Sequence, residues 1–205
     1  MARTAETLRR TNETDIAVKL DIDGRGEAKL DYPVGFMTHM LATFARHSLF
    51  DIEIRARGDL ETDQHHLVED TGITLGQCLS DALGERRGIR RSGSCFFPMD
   101  ETLARAAVDI SGRPFLVFDV PLSGVPLVSV SGGASSSFQV DTVEDFWRGF
   151  VTAAGITFHL DILRGRSDHH KIEALFKAAA CALREACGND PRRADIVPST
   201  KGTLA

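Results

Sequence analysis

His65-His66-Leu67-Val68-Glu69 returns 104 residues later as His169-His170-Lys171-Ile172-Glu173. Each copy opens a stretch of helical periodicity that a glycine ends, Gly84 after the first and Gly188 after the second. Within the stretches Leu79 aligns with Leu183, Asp81 with Glu185 and Ala82 with Ala186. Upstream, an offset of 106 pairs Phe44 with Phe150, Ile52 with Phe158 and Ile54 with Leu160. Agreement at motif, core and cap positions together points to a duplicated chain.

The flanking sequence supplies the other elements. Ile16, Val18, Leu20 and Ile22 alternate with Ala17, Lys19 and Asp21, the period of a half-buried strand. A turn at Asp23-Gly24-Arg25-Gly26 and a short strand over residues 27–30 predict a hairpin. Met37, Met40, Leu41 and Phe44 recur at helical spacing, residues 51–55 alternate, and a long helix is expected over 67–83. In the second half the same order predicts strands through 95–110 and 115–120, a helix near 143–153, a strand near 157–163 and a helix over 169–187. The Ser- and Gly-rich run 129–137 reads as a mobile surface loop. The expected fold is α+β: two halves, 1–92 and 93–205, each a small sheet packed with two helices and joined in one compact unit.

With 205 residues, 42% hydrophobic, the chain can bury a sizeable core. A net charge of −5 argues against binding nucleic acid, which calls for a concentrated basic face. Any anionic ligand must be met by a few placed cations. No secretory leader or membrane-length apolar run is evident, so a cytoplasmic protein without membrane or nucleic-acid partners is expected. Cys78, Cys95, Cys181 and Cys187 show no C-x-x-C spacing and are expected to be reduced thiols in packed positions.

The repeated motif carries the chemistry. On a helix His65 and Glu69 share a face, whereas adjacent histidines diverge by ~100°. One ion cannot easily take both neighbours, so each helix suits one ion through its His/Glu pair and a second through its other histidine. Imidazole with carboxylate fits Mn, Fe, Co, Ni or Zn without choosing among them. The order differs from the H-E-x-x-H of zinc proteases, where histidines flank the general base. Arg90-Arg91, Ser111-Gly112-Arg113-Pro114 and Pro198-Ser199-Thr200-Lys201-Gly202 supply arginine forks and a Ser-Thr-Lys tail suited to gripping phosphate.

Taken together, these residues resemble the imidazoleglycerol-phosphate dehydratases of histidine biosynthesis. The resemblance runs through Asn12-Glu13-Thr14, Gly35-Phe36-Met37-Thr38-His39-Met40-Leu41, Gly58-Asp59-Leu60, both His-His motifs, Pro98-Met99-Asp100-Glu101, Asp109-Ile110-Ser111-Gly112-Arg113-Pro114, Phe176-Lys177-Ala178 and the Ser199-Thr200-Lys201 tail. It implies two halves of the ribosomal-protein-S5-domain-2 type, two Mn2+ per active site, and a homo-oligomer, typically of 24 chains, with sites at subunit interfaces. Carried over by position, His39, His65, His66, Glu69, His169, His170 and Glu173 would ligate metal. Glu13, His47, Arg91, Arg113, Lys177, Ser199, Thr200 and Lys201 would contact substrate, with Arg91, Arg113, Ser199 and Lys201 on its phosphate.

Some positions depart from the family pattern. Thr38 stands where an aspartate usually precedes the ligand histidine, Gln64 where aspartate is common, and Leu67 where threonine is common. Asp145 stands where many members have a histidine ligand, and the 106 offset sets it opposite His39. It is counted among the metal ligands as a hard carboxylate, with a helix-surface aspartate as the alternative.

The implied reaction removes water from imidazole glycerol phosphate to give imidazole acetol phosphate. The lost proton is not next to a carbonyl, so the ring would serve as electron source: two bound metal ions would supply Lewis acidity for an imidazolate, which would become a diazafulvene-like species as the adjacent hydroxyl leaves as hydroxide. Glu173 or Glu13 would then move the proton that completes the dehydration. Two rivals remain at this point: another di-metal phosphoesterase, and a metal-binding assembled paralogue without turnover.

Overall fold

A computed structural model describes residues 3–131, 134–194 and 196–204. The first half contains β1 (Thr4–Arg10), β2 (Thr14–Asp21), β3 (Ala28–Asp31), α1 (Gly35–Ser48), β4 (Asp51–Gly58) and α2 (His65–Leu83). The second contains β5 (Ser92–Met99), β6 (Thr102–Asp109), β7 (Phe115–Asp119), β8 (Leu127–Ser131), β9 (Ala134–Phe138), α3 (Thr142–Ala154), β10 (Thr157–Arg164) and α4 (Asp168–Cys187). The sheets run β1-β2-β4-β3 and β5-β6-β10-β7, the same order with the same directions. The duplication read from the sequence is therefore a duplication of topology.

Strand alternation builds each inner face. Val18 lies opposite Ile54 and Leu20 opposite Ile52, and all four are buried. The aligned residues of the second half, Phe158 and Leu160, are buried as well. Each sheet carries its own long helix, α2 on β1 and β2, and α4 on β5 and β6. The short helices cross over: α1 packs on α4, and α3 on α2. Burial consequently joins both halves in one cluster, with Trp147 of α3 against Phe44 of α1, Phe158 of β10 and Phe176 of α4.

Glycine makes the α2–α3 crossing possible. A Cβ on Gly72 would sit 2.2 Å from the carbonyl oxygen of Phe146, and one on Gly76 2.3 Å from that of Phe150. The bare face of α2 thus admits the backbone of α3, which brings Asp145 to the start of α2.

Two local expectations are corrected. The strand after the Asp23–Gly26 turn is β3, which pairs parallel with β4 and not with β2, so no hairpin forms there. The hairpin partner of β2 is β1, from Thr4 to Arg10, whose inner positions are mostly polar and leave only a weak apolar alternation. Residues 129–131 and 134–137 lie in the antiparallel strands β8 and β9, register-paired from Leu127↔Phe138 to Ser131↔Ala134, and not in a loop, while Gly132 and Gly133 fall outside the described residues. All four cysteines are free thiols.

Candidate metal centre

Both His-His motifs begin their helices. Ser167 caps α4, its side chain accepting from the backbone N–H of His170 at 3.4 Å. Gln64 precedes α2 and exchanges hydrogen bonds with Gln139, while its amide donates to the Ser137 carbonyl. Phe36 joins the two ends, its ring tilted against that of Phe138 at 4.8 Å and meeting the His169 ring edge-on at 5.2 Å.

One cluster is assembled from both halves. His39 of α1 and His169 and Glu173 of α4 bring one ligand atom each within 4.8 Å of one another. Glu173 Oε2 lies 3.4 Å from His39 Nε2 and 3.1 Å from His169 Nε2, and its other oxygen lies 2.8 Å from Lys177 Nζ. Burial would raise the Glu173 carboxyl, but Lys177 and His39 outweigh it and hold the group below its usual range. Two imidazole nitrogens converging on a carboxylate form a donor set that fits a divalent transition metal.

The second cluster is differently arranged. His65 Nδ1 lies 3.2 Å from Asp145 and His65 Nε2 3.6 Å from Glu69. Asp145 therefore occupies the place that the repeat assigns it, facing the motif histidine of the other half as His39 faces His169. The second histidines turn elsewhere. His66 Nδ1 lies 3.1 Å from Asp59 and 3.9 Å from Glu13. His170 Nδ1 lies 2.8 Å from Glu101. Both rings are held above the usual histidine pKa, first by these hydrogen bonds. Asp59 and Glu101 stand in the Gly58-Asp59-Leu60 and Pro98-Met99-Asp100-Glu101 motifs, to which the sequence alone gives no role. The signal that could have found Glu101 is an offset of 88, which superposes Glu13-Thr14 on Glu101-Thr102.

The structure separates the remaining candidates. His47 and Lys177 stay near the first cluster, the Phe97 ring lying 5.2 Å from the His47 ring and 5.5 Å from Lys177 Nζ. Burial, then Lys177 and Arg184, push the His47 pKa down. Arg91 is at the other end of α4: its backbone N–H donates to the Ala186 carbonyl. Glu173 and Ala186 are thirteen residues apart, about 20 Å along a helix. The Arg91 fork closes on Asp109 at 2.6 and 2.9 Å and also donates to the Pro198 carbonyl, which ties down the Ser199-Thr200-Lys201 tail. Exposed Arg113 sits beside Gly112, which shares a recess with Val197, Gly202 and Leu204 of that tail. In one chain the phosphate-type residues and the metal-type cluster are thus not brought together. Thr38 does not stand in for the expected aspartate, since its hydroxyl donates to the carbonyls of Tyr32 and Val34. Leu67 is wholly buried.

The profile of imidazoleglycerol-phosphate dehydratases matches residues 32–183. The chain belongs to the imidazoleglycerol-phosphate dehydratase family. It is 51% identical over 202 residues to the imidazoleglycerol-phosphate dehydratase of Cereibacter sphaeroides, covering 98% of this chain and 100% of that protein. Identity to the Paraburkholderia xenovorans enzyme of the same name is 50% over the same coverage. Crystal structures of family members superpose as well. The Staphylococcus aureus dehydratase gives a TM-score of 0.77 at 37% identity, covering 91% of this chain and 99% of that one. The Pyrococcus furiosus protein, crystallised in complex with (S)-C348, gives 0.78 at 35% identity with 96% and 99% coverage. Among the described residues no helix is long and apolar enough to cross a membrane.

Proposed function

We infer that this chain is an imidazoleglycerol-phosphate dehydratase, a hydro-lyase of histidine biosynthesis that removes water from imidazole glycerol phosphate to give imidazole acetol phosphate. The observation that carries the reading is the convergence of His39, His169 and Glu173 in a chain whose family membership extends over nearly its whole length. His39, His169 and Glu173 would hold one metal ion, and His65 with Glu69 and Asp145 would contribute to a second, while His66 and His170 would complete sites with their remaining ring nitrogens. Mn2+ is the proposed metal, two ions per site; bound metal supplies Lewis acidity that stabilises negative charge on the substrate's imidazole ring.

The chain's own groups divide the remaining work. Glu173, engaged by two histidines and Lys177, is committed to ligation. Glu13 has no hydrogen-bond partner for its carboxylate within the described residues and is half exposed, which favours it for proton transfer on the carbon chain. Arg113, Ser199, Thr200 and Lys201, with Arg91 anchoring the tail, would grip the phosphate and fix the ring. Because Arg91, which holds the tail, contacts α4 about 20 Å along the helix from Glu173, a complete site on this reading calls for two copies. This supports a homo-oligomer with sites at subunit interfaces, of 24 chains by family resemblance. A product assay tests the reading: the ketone appearing without inorganic phosphate supports it, whereas phosphate release would favour a phosphoesterase. Metal-loaded, assembled protein with no turnover would favour an inactive paralogue.

A further inference from the structure

Glu13 and Glu101 hold the same place in the two halves but do different work. At an offset of 88, Thr4↔Asp21 in the β1–β2 pair becomes Ser92↔Asp109 in the β5–β6 pair, and each glutamate precedes a buried threonine, Thr14 or Thr102. In the second half Glu101 is fully engaged. One oxygen accepts from the backbone N–H groups of Arg166 and Ser167 at 3.2 and 3.0 Å, and the other lies 2.8 Å from His170 Nδ1. In the first half Asp59 has taken the corresponding position on His66, at 3.1 Å, and Glu13 stands off at 3.9 Å.

A carboxylate that receives three N–H groups is acceptor-only, so the proton of a neutral His170 must be on Nδ1. Its lone pair is then on Nε2, where Asp100 at 4.0 Å is beyond hydrogen-bonding reach. We infer that Glu101 is a positioning residue that locks His170 in the Nδ1–H tautomer and presents Nε2 to a metal ion, and that Asp59 does the same for His66. The inference rests on the metal-binding reading of the two motifs. It also explains why Glu13 is left for substrate: Asp59 relieves it of the task that Glu101 performs in the repeat.

Glu101 additionally ties the β5–β6 turn to the start of α4, so a structural role must be separated from a tautomeric one. E101Q does this. Its amide oxygen can still accept from Arg166 and Ser167, but its NH2 donates to Nδ1 and drives the histidine proton onto Nε2. The experiment titrates chelator-stripped full-length protein with Mn2+ alone, reading free Mn2+ by electron paramagnetic resonance, for wild type, E101Q, D59N, E101A and H170A. Thermal melts and solid-state 15N spectra of the stripped, histidine-labelled proteins accompany it, the spectra taken at alkaline pH where the ring is neutral. E101Q and D59N are expected to weaken Mn2+ binding about 10- to 100-fold with unchanged melting, and E101Q to move the resonance missing in H170A from the Nδ1–H to the Nε2–H pattern. Wild-type affinity in E101Q beside weakened H170A would overturn the positioning role alone. Unweakened H170A would overturn the metal reading of His170 and the inference with it. Loss of affinity in E101Q accompanied by the same lowered melting as E101A would assign Glu101 a structural role only.

Discussion

Lys177 Nζ lies 2.8 Å from Glu173 Oε1, one helical turn along α4, and its cation offsets the burial that would otherwise raise the carboxyl pKa. Glu173 is thereby held ionised and ready to ligate. In K177M burial acts unopposed by that cation, the Glu173 pKa rises, and protons compete with metal at higher pH. Manganese occupancy measured after equilibrium dialysis across a pH series should fall at a higher pH in K177M than in wild type. Superimposable occupancy curves would contradict the role of Lys177.

Gly72 is the point at which α2 admits α3. A methyl group there meets the Phe146 carbonyl at 2.2 Å, a contact that backbone must relieve. G72A should lose about 1–3 kcal/mol of stability, the ordinary cost of overpacking, in denaturant titration of stripped protein. Because Asp145 neighbours Phe146, the same variant should also weaken metal binding.

The separation of Glu173 from Arg91 along α4 predicts complementation between chains. A chain carrying H39A and H169A lacks the first metal cluster, and a chain carrying R113A lacks a phosphate ligand. Each alone should be inactive. Dissociated and reassembled together at equal amounts, they should recover about a quarter of wild-type activity if each site draws on two subunits. Failure to recover activity in verified mixed assemblies would place the whole site within one chain.

The histidine–carboxylate pairs set the pH response of stripped protein. His66 and His170 have raised pKa values, so their contribution is fully present below the unfolded histidine value and is lost as pH rises through the folded value. Asp59 and Glu101 are lowered, so theirs is present above the unfolded carboxylate value and lost as pH falls through the folded one. His47, lowered by burial, opposes the other histidines. Two raised rings against one lowered ring predict that stripped protein melts higher at mildly acidic pH than at mildly alkaline pH. Metal-loaded protein should show the reverse, because ligation needs deprotonated imidazole. Scanning calorimetry of both forms across that interval provides the comparison.

Much of the fold and the centre is legible along the chain. The repeated His-His-x-x-Glu motif, the alternation around Val18 and Ile54, and the glycines after both long helices identify a duplicated α+β protein with metal-type ligands, because these signals are local and periodic. The 106 offset aligns Asp145 with His39, and in space Asp145 lies 3.2 Å from His65 while His39 lies 3.4 Å from Glu173. Which strand accepts β3, which long helix accepts α1 or α3, and whether Asp59 or Glu13 reaches His66 were settled only by tertiary structure. Those choices depend on surfaces distant in sequence, such as the bare face of Gly72 and Gly76, and no periodicity records them. The same holds for the distance between the metal cluster and Arg91: residues that the family resemblance assigns to one site are set apart within the chain by the rigid length of α4, which no motif records.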